Sequence, residues 1–256
     1  MNKMNKGFNI FPFFQVHLAT WQGNTVVLNS LISRHVGEDF KHGLAMLKQF
    51  SGSPYTTQFL GYCKQSYLTE YHPFGDASQF YNLIERFHYL RDSIKARFGF
   101  CINYVQILNF LHTRPEGAYV MCDSNSLQKT LQQFLIRSDF QLLANDLDAL
   151  PLVDKALNNT IKCGHRLIQG DFAAPEQRWT INADFVDELL PGYDEKTDIW
   201  KIPDVCDYFI GDSTTGVDSL KFHLFKIHSS CKSEDPKTRP TAGEVIKAYM
   251  DIYNLF

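Results

Sequence analysis

The chain has 256 residues, 44% of them hydrophobic and 21% charged, which excludes a disordered or collagen-like polymer and leaves one large domain or two small ones sharing a cleft. Lys+Arg 25 against Asp+Glu 28 give a net charge of −3, which argues against nucleic acid as a partner. No run of about 18 apolar residues is present to predict a membrane span, and the N-terminus lacks the small-residue cleavage site of a signal peptide.

In chain order, Phe14, Val16 and Leu18 alternate with Gln15 and His17, and Thr25-Val26-Val27-Leu28 follow a Gln22-Gly23-Asn24 turn, so residues 14–28 read as two strands. Phe40, Leu44 and Leu47 share one face of a helix predicted over 38–50. Phe59-Leu60-Gly61-Tyr62 and Tyr67-Leu68-Thr69-Glu70-Tyr71 read as two further short strands. Tyr71-His72-Pro73-Phe74-Gly75 then breaks the pattern and marks a domain boundary, dividing the chain into 1–72 and 73–256. Beyond it, Phe98, Ile102, Val105, Leu108 and Leu111 predict an amphipathic helix over 97–112. Tyr119-Val120-Met121 and Phe134-Leu135-Ile136 are strand-like. Thr241-Ala242-Gly243-Glu244 is a capping box opening a helix over 241–255, with Val245, Tyr249 and Ile252 on one face. A strand-rich beginning and a helical remainder predict a two-lobed α+β fold.

Six cysteines are scattered without a C-x-x-C pair, which argues against a zinc or thioredoxin-type site. One or two bridges remain open to them in a secretory compartment. Asn158-Asn159-Thr160 is a glycosylation sequon, usable only there.

Several short segments stand in an order that resembles a protein kinase. Phe110-Leu111-His112 closes a helix and is followed by Val120-Met121-Cys122-Asp123, in the place of a catalytic loop. Leu143-Ala144-Asn145-Asp146-Leu147-Asp148 takes the place of D-F-G, and Ala174-Pro175-Glu176 is an A-P-E. Asp198-Ile199-Trp200 and Arg239-Pro240-Thr241 match elements of a kinase large lobe. Thr69-Glu70-Tyr71-His72-Pro73 resembles a hinge whose backbone faces adenine, which makes Glu70 and His72 nucleotide-binding candidates. Phosphoryl transfer needs one carboxylate to accept the attacking hydroxyl's proton and another to hold Mg²⁺ (or Mn²⁺) against the phosphates of ATP. Asp123 suits the first role and Asp146 the second. Gln133, before Phe134-Leu135-Ile136, is the candidate second metal ligand, with Asn125 as its rival. Asp148 reads as a cap, Trp200 as core, and Pro203 as an early position of the helix after Asp198. His165, His223 and His228 read as surface or core residues.

Met121-Cys122-Asp123, Asn145-Asp146-Leu147-Asp148-Ala149-Leu150-Pro151-Leu152-Val153, Lys162-Cys163-Gly164-His165, Tyr193–Pro203 and Phe222-His223-Leu224-Phe225 narrow the resemblance to the protein O-mannose kinases, over roughly residues 15–255. The resemblance implies a kinase of the endoplasmic reticulum lumen. It would phosphorylate the 6-hydroxyl of an O-linked mannose within a GalNAc–GlcNAc–mannose trisaccharide, as on dystroglycan-type glycoproteins. Family members are type II membrane proteins, with an anchor that these residues lack. It also implies a buried Glu176–Arg239 pair fixing the activation segment, a structural role for Asp198, and a bridge between Cys122 and Cys163 in preference to Cys101 or Cys206.

Departures from the family pattern lie in the first lobe. No glycine occurs between Gly7 and Gly23, where Asn9-Ile10-Phe11-Pro12-Phe13-Phe14 stands in the place of a glycine loop. The candidate lysine positions are Asn29 and Phe14, and the position of the lysine's glutamate partner falls near Gly43, with Glu38 and Asp39 about one turn earlier. The acidic position three after Asp123 is Ser126. With no cation left to meet the phosphates, slow transfer is expected. The alternative is a catalytically weak kinase fold that binds a glycan or protein partner.

Overall fold

The computed structural model describes residues 14–32, 37–154, 157, 159–164, 167–180, 184–212 and 215–256. The sequon asparagine Asn158, His165 and the run Asn9–Phe13 lie outside them. β1 (Phe14–Trp21) and β2 (Asn24–Leu31) form an antiparallel hairpin, with β2 running past the predicted end at Leu28. Its two-residue turn has φ of 50° at Gln22 and 80° at Gly23. Left-handed backbone at both turn positions matches the twist of the flanking strands, and glycine adopts it without strain.

α1 (Gly37–Gln49) buries Phe40, Leu44 and Leu47, the stripe read from the sequence. β3 (Phe59–Cys63) and β4 (Ser66–Glu70) complete a four-stranded sheet in the order β1-β2-β4-β3, every neighbour antiparallel. Tyr71–Gly75 joins the sheet to a mostly helical remainder. This begins with α2 (Phe80–Arg86), α3 (His88–Asp92) and α4 (Ile94–His112), then β5 (Ala118–Tyr119), α5 (Leu127–Gln132), β6 (Phe134–Ile136), β7 (Leu142–Ala144) and β8 (Leu152–Val153). It closes with α6 (Lys196–Ile210), α7 (Val217–Cys231) and α8 (Ala242–Tyr253). A small antiparallel sheet followed by a helical body is the two-lobed, kinase-like α+β fold implied by the motifs.

Three local readings need correction. α4 is not amphipathic. Phe98, Phe100, Cys101, Tyr104, Val105, Ile107, Leu108 and Leu111 are buried around its whole circumference, because α6 and α8 pack on it from different sides. A helix apolar all round is a central one, and each fully buried Phe or Leu contributes about 1.5–3 kcal/mol. Pro203 sits in the interior of α6, not near its start. The catalytic-loop strand is Ala118–Tyr119, paired with β8 through Ala118↔Val153 and Tyr119↔Leu152, so Met121 lies beyond it.

The sheet is tied to the helical body next to the cleft. Thr57 N donates to Ala144 O at 3.0 Å and Ala144 N to Tyr55 O at 2.9 Å, so the segment before β3 clamps the strand that leads to Asp146. His42 Nε2 of α1 lies 3.1 Å from Leu150 O. α8 opens with the predicted capping box, Thr241 and Glu244 each bonding the other's backbone N–H.

His228 of α7 is half-buried, its Nε2 lying 2.6 Å from the Tyr249 hydroxyl on α8. Burial, with the Lys232 charge adding to it, pushes this imidazole down to about 4. Unfolded, the ring takes up a proton near its ordinary value of 6.5. The neutral ring therefore stabilises the fold above 6.5, and that contribution is lost as pH falls toward 4, a difference of about 3 kcal/mol. Denaturant titrations between pH 7 and 4 should show a shallower acid decline for His228→Gln than for the parent chain. Parallel curves would count against this assignment.

Candidate active site

Asp123 occupies the third position of the turn Met121-Cys122-Asp123-Ser124, between β5 and α5. Each neighbour in that turn is anchored. Met121 N donates to Asp198 Oδ2 at 3.0 Å, Cys122 Sγ is bonded to Cys163 Sγ, and the buried Ser124 hydroxyl donates to Met121 O. Cys122 N also donates to Ala149 O at 3.0 Å. The Asp123 side chain is left facing a cleft of about 240 Å³ between the sheet, α1 and the segment after β7.

Asp146 faces the same cleft, brought there by the β6–β7 hairpin, in which Phe134 pairs with Ala144. The structure thus gathers Asp123 and Asp146, which lie on different segments. Gln133 is buried. Its side-chain nitrogen donates to Lys129 O at 3.2 Å and its backbone carbonyl accepts from Asn145 N at 2.9 Å. Glu70 and His72 stand at the end of β4, where Glu70 Oε1 accepts from Gln58 N at 2.9 Å and lies 3.2 Å from His72 Nε2. Burial alone would raise the Glu70 carboxyl, but the hydrogen bonds from His72 and Gln58 N outweigh it and hold the group below its ordinary range.

Glu176 and Arg239 form a bidentate pair, Nη1–Oε1 2.6 Å and Nη2–Oε2 2.8 Å, with Arg239 also donating to Lys196 O at 2.9 Å. Removing one partner of such a buried pair costs about 3–5 kcal/mol. Asp198 is buried under the catalytic turn. Burial pushes its carboxyl up, yet the Lys201 charge and the His112 hydrogen bond prevail and hold it low. A second bridge, Cys101–Cys206, joins α4 to α6, and the Cα atoms of both pairs are 4.9 Å apart.

Two residues outside the catalytic and metal candidates read from the sequence face the cleft. A cation does face the cleft: Lys129 of α5, whose Nζ donates to both oxygens of Asp123. The signal for it was Ser126, which caps α5 by accepting from Lys129 N at 3.3 Å and so sets the helix phase. Asp148, read as a cap, also lines the cleft and shares a hydrogen bond with Asp146. Burial and the neighbouring Asp146 charge push its carboxyl up to about 8, and burial raises Asp146 as well.

At the position of the lysine's glutamate partner, α1 packs closely on Asp148. A Cβ built on Gly43 would lie 3.2 Å from Asp148 Cβ and 3.3 Å from its Cα, so a side chain there requires its neighbour to give by a few tenths of an ångström. Asp39, one turn earlier, lines the cleft instead, while Glu38 pairs with Lys41 in solvent. Asn29 also lines it, 3.4 Å from Thr69 Oγ1.

A divalent cation fits this donor set. Hard carboxylate oxygens suit Mg²⁺ or Mn²⁺, and two carboxyls that share a proton in a buried site carry the excess negative charge that a cation offsets. Among the described residues no group of three or more His, Cys, Asp or Glu makes a ready cage.

Sheet, helical body and carboxylate cleft define a phosphotransferase of the kinase-like class. No protein-family model matches the chain. Protein O-mannose kinase of Gallus gallus is 46% identical over 249 residues, 94% of this chain and 69% of the relative. The Homo sapiens protein of the same name is 46% identical over 243 residues, and that of Xenopus laevis 45% over 249, each again spanning 69% of the relative. The chain belongs to the protein O-mannose kinase family and is a kinase. No helix among the described residues is long and apolar enough to cross a membrane.

The Cys122–Cys163 bridge closes a sequence separation of 41 residues, worth about 4 kcal/mol in the chain-entropy account. Paired Cys122→Ser and Cys163→Ser replacements should lower the melting temperature and cut turnover more than nucleotide affinity. Unchanged turnover would show that the bridge does not position the turn.

Proposed function

We propose that the chain transfers the γ-phosphate of ATP to the 6-hydroxyl of an O-linked mannose, within a GalNAc–GlcNAc–mannose trisaccharide on dystroglycan-type glycoproteins. The observation that carries this reading is one cleft in which Asp123 and Lys129 face the Asp146–Asp148 pair. Asp123 accepts the proton of the attacking hydroxyl. Lys129 holds that carboxylate before substrate arrives and offers its ammonium to phosphate oxygens once they enter the cleft. Asp146 and Asp148 would hold Mg²⁺ or Mn²⁺, which supplies neutralisation of phosphate charge. Tyr67, Thr69 and Val16 wall the cleft on the sheet side, where the nucleotide is expected next to the Glu70–His72 segment. With its carboxylates and Lys129 in place, the cleft favours catalysis over the binding-only alternative.

Residence in the endoplasmic reticulum lumen is supported by two disulfides, since such bonds persist in oxidising compartments.

Asp123→Asn should lower kcat by about 10²–10⁴-fold at an unchanged melting temperature, the usual range for losing a general base. Near-normal turnover would sink the assignment. Asp146→Asn should weaken ATP binding only when Mg²⁺ is present, as read by a nucleotide titration with and without the metal. An acceptor trisaccharide built on 6-deoxymannose should yield no phosphorylated product. Product from it would move the acceptor position elsewhere.

A further inference from the structure

Lys201 is a buried ammonium that the transfer chemistry described above does not use. It stands on α6 three residues after Asp198, and both side chains are 1% exposed. Its Nζ donates to Ser124 Oγ at 2.6 Å and lies 3.2 Å from Asp198 Oδ1. Ser124 in turn donates to Met121 O, and Asp198 Oδ2 accepts from Met121 N at 3.0 Å. The ion pair therefore grips the catalytic turn at both ends, Asp198 at its first residue and Lys201, through Ser124, at its last. Asp123 sits between them.

Burying two charges is expensive, and an apolar pair of the same volume is often no less stable. What an apolar pair cannot do is donate a directed, charge-assisted hydrogen bond to Ser124. His112 Nε2, 3.2 Å from Asp198 Oδ2, already gives that carboxylate a partner from α4. Satisfying Asp198 is thus not the whole task of Lys201. Its contact with Ser124 is the contact that reaches the turn.

We propose that Lys201 is a positioning residue for phosphate transfer, fixing through Ser124 the direction in which Asp123 faces the cleft. The proposal rests on the reading of Asp123 as the proton acceptor. Lys201 is buried beneath the turn and does not line the cleft, so its loss should be felt in kcat and not in KM.

Ser124→Ala removes the link while leaving the Lys201–Asp198 pair intact, which keeps the test independent of whether Lys201→Met folds. In transfer from ATP to the mannose-core trisaccharide, Ser124→Ala should lower kcat about tenfold or more, with KM for ATP held within about twofold. Lys201→Met should show the same split. Because the two residues act through one chain of bonds, Ser124→Ala/Lys201→Met should be no slower than the worse single variant. Backbone amide exchange at Met121 and Ser124 should quicken in each variant, a readout that needs no acceptor. Unchanged kcat in Ser124→Ala, losses that multiply in the double variant, or unaltered exchange in the turn would each overturn the proposal. Asp123→Asn separates the two readings. If it is inactive while Ser124→Ala is normal, only the positioning role fails; if Asp123→Asn is fully active, the proton-acceptor reading falls and takes this one with it.

Discussion

The buried carboxylate of Asp198 is the point on which the catalytic half of the molecule is assembled. It draws together the end of α4 through His112, the catalytic turn through Met121 N, and its own helix through Lys201. An ionised carboxylate in that position costs far more than any single hydrogen bond returns, and it persists because each of its oxygens is met. The geometry is consequently all-or-nothing. A turn that slipped would leave an unpaired charge in the core, so the alternatives to the observed position of Asp123 are strongly disfavoured.

The cleft is governed by the opposite condition, an excess of like charge. Asp39, Asp123, Asp146 and Asp148 line it against Lys129. Burial and the neighbouring Asp146 charge favour the protonated form of Asp148, which eases the crowding of like charge. Close packing reinforces the arrangement: with no side chain at Gly43, α1 lies directly against Asp148. Among the described residues, the cation that faces the cleft is Lys129 of α5, set beside Asp123.

How much of this was legible in the sequence depends on the range of the interaction. The hairpin, α1 and α8 were readable because alternation, an apolar stripe and a capping box are local signals. The order of the motifs, read as a resemblance, pointed to Asp123 and Asp146, which the fold brings to one cleft, and to Glu176, Arg239 and Asp198, which it sets in ion pairs. α4 was misread because periodicity records which residues are apolar, not how many neighbours will cover them. Asp148 was read as a cap, and Lys129 drew no reading, for a related reason. One resembles a turn cap and the other an ordinary helix lysine until folding sets them beside Asp146 and Asp123. Lys201 carried no signal, since a lysine in an apolar helix announces burial only when a carboxylate three residues earlier is itself buried.

The activation segment is fixed in a way that follows from the same economy of buried partners. Cys163 is bonded to the catalytic turn at one end, and Glu176 is held bidentately by Arg239 at the other. Between them, Trp200 Nε1 donates to Asp171 O at 3.2 Å, and Arg178 Nε donates to Ala173 O at 2.8 Å. The Trp200 ring has three cations around it, Arg178, Lys232 and Arg239, within 5.5 Å of its centroid. The described residues of this segment are thus tied by a covalent bond, a buried ion pair and an aromatic hub. The Cys122–Cys163 bridge holds the catalytic turn at the residue next to Met121, which Asp198 holds, so the bridge and the buried carboxylate act on the same few residues.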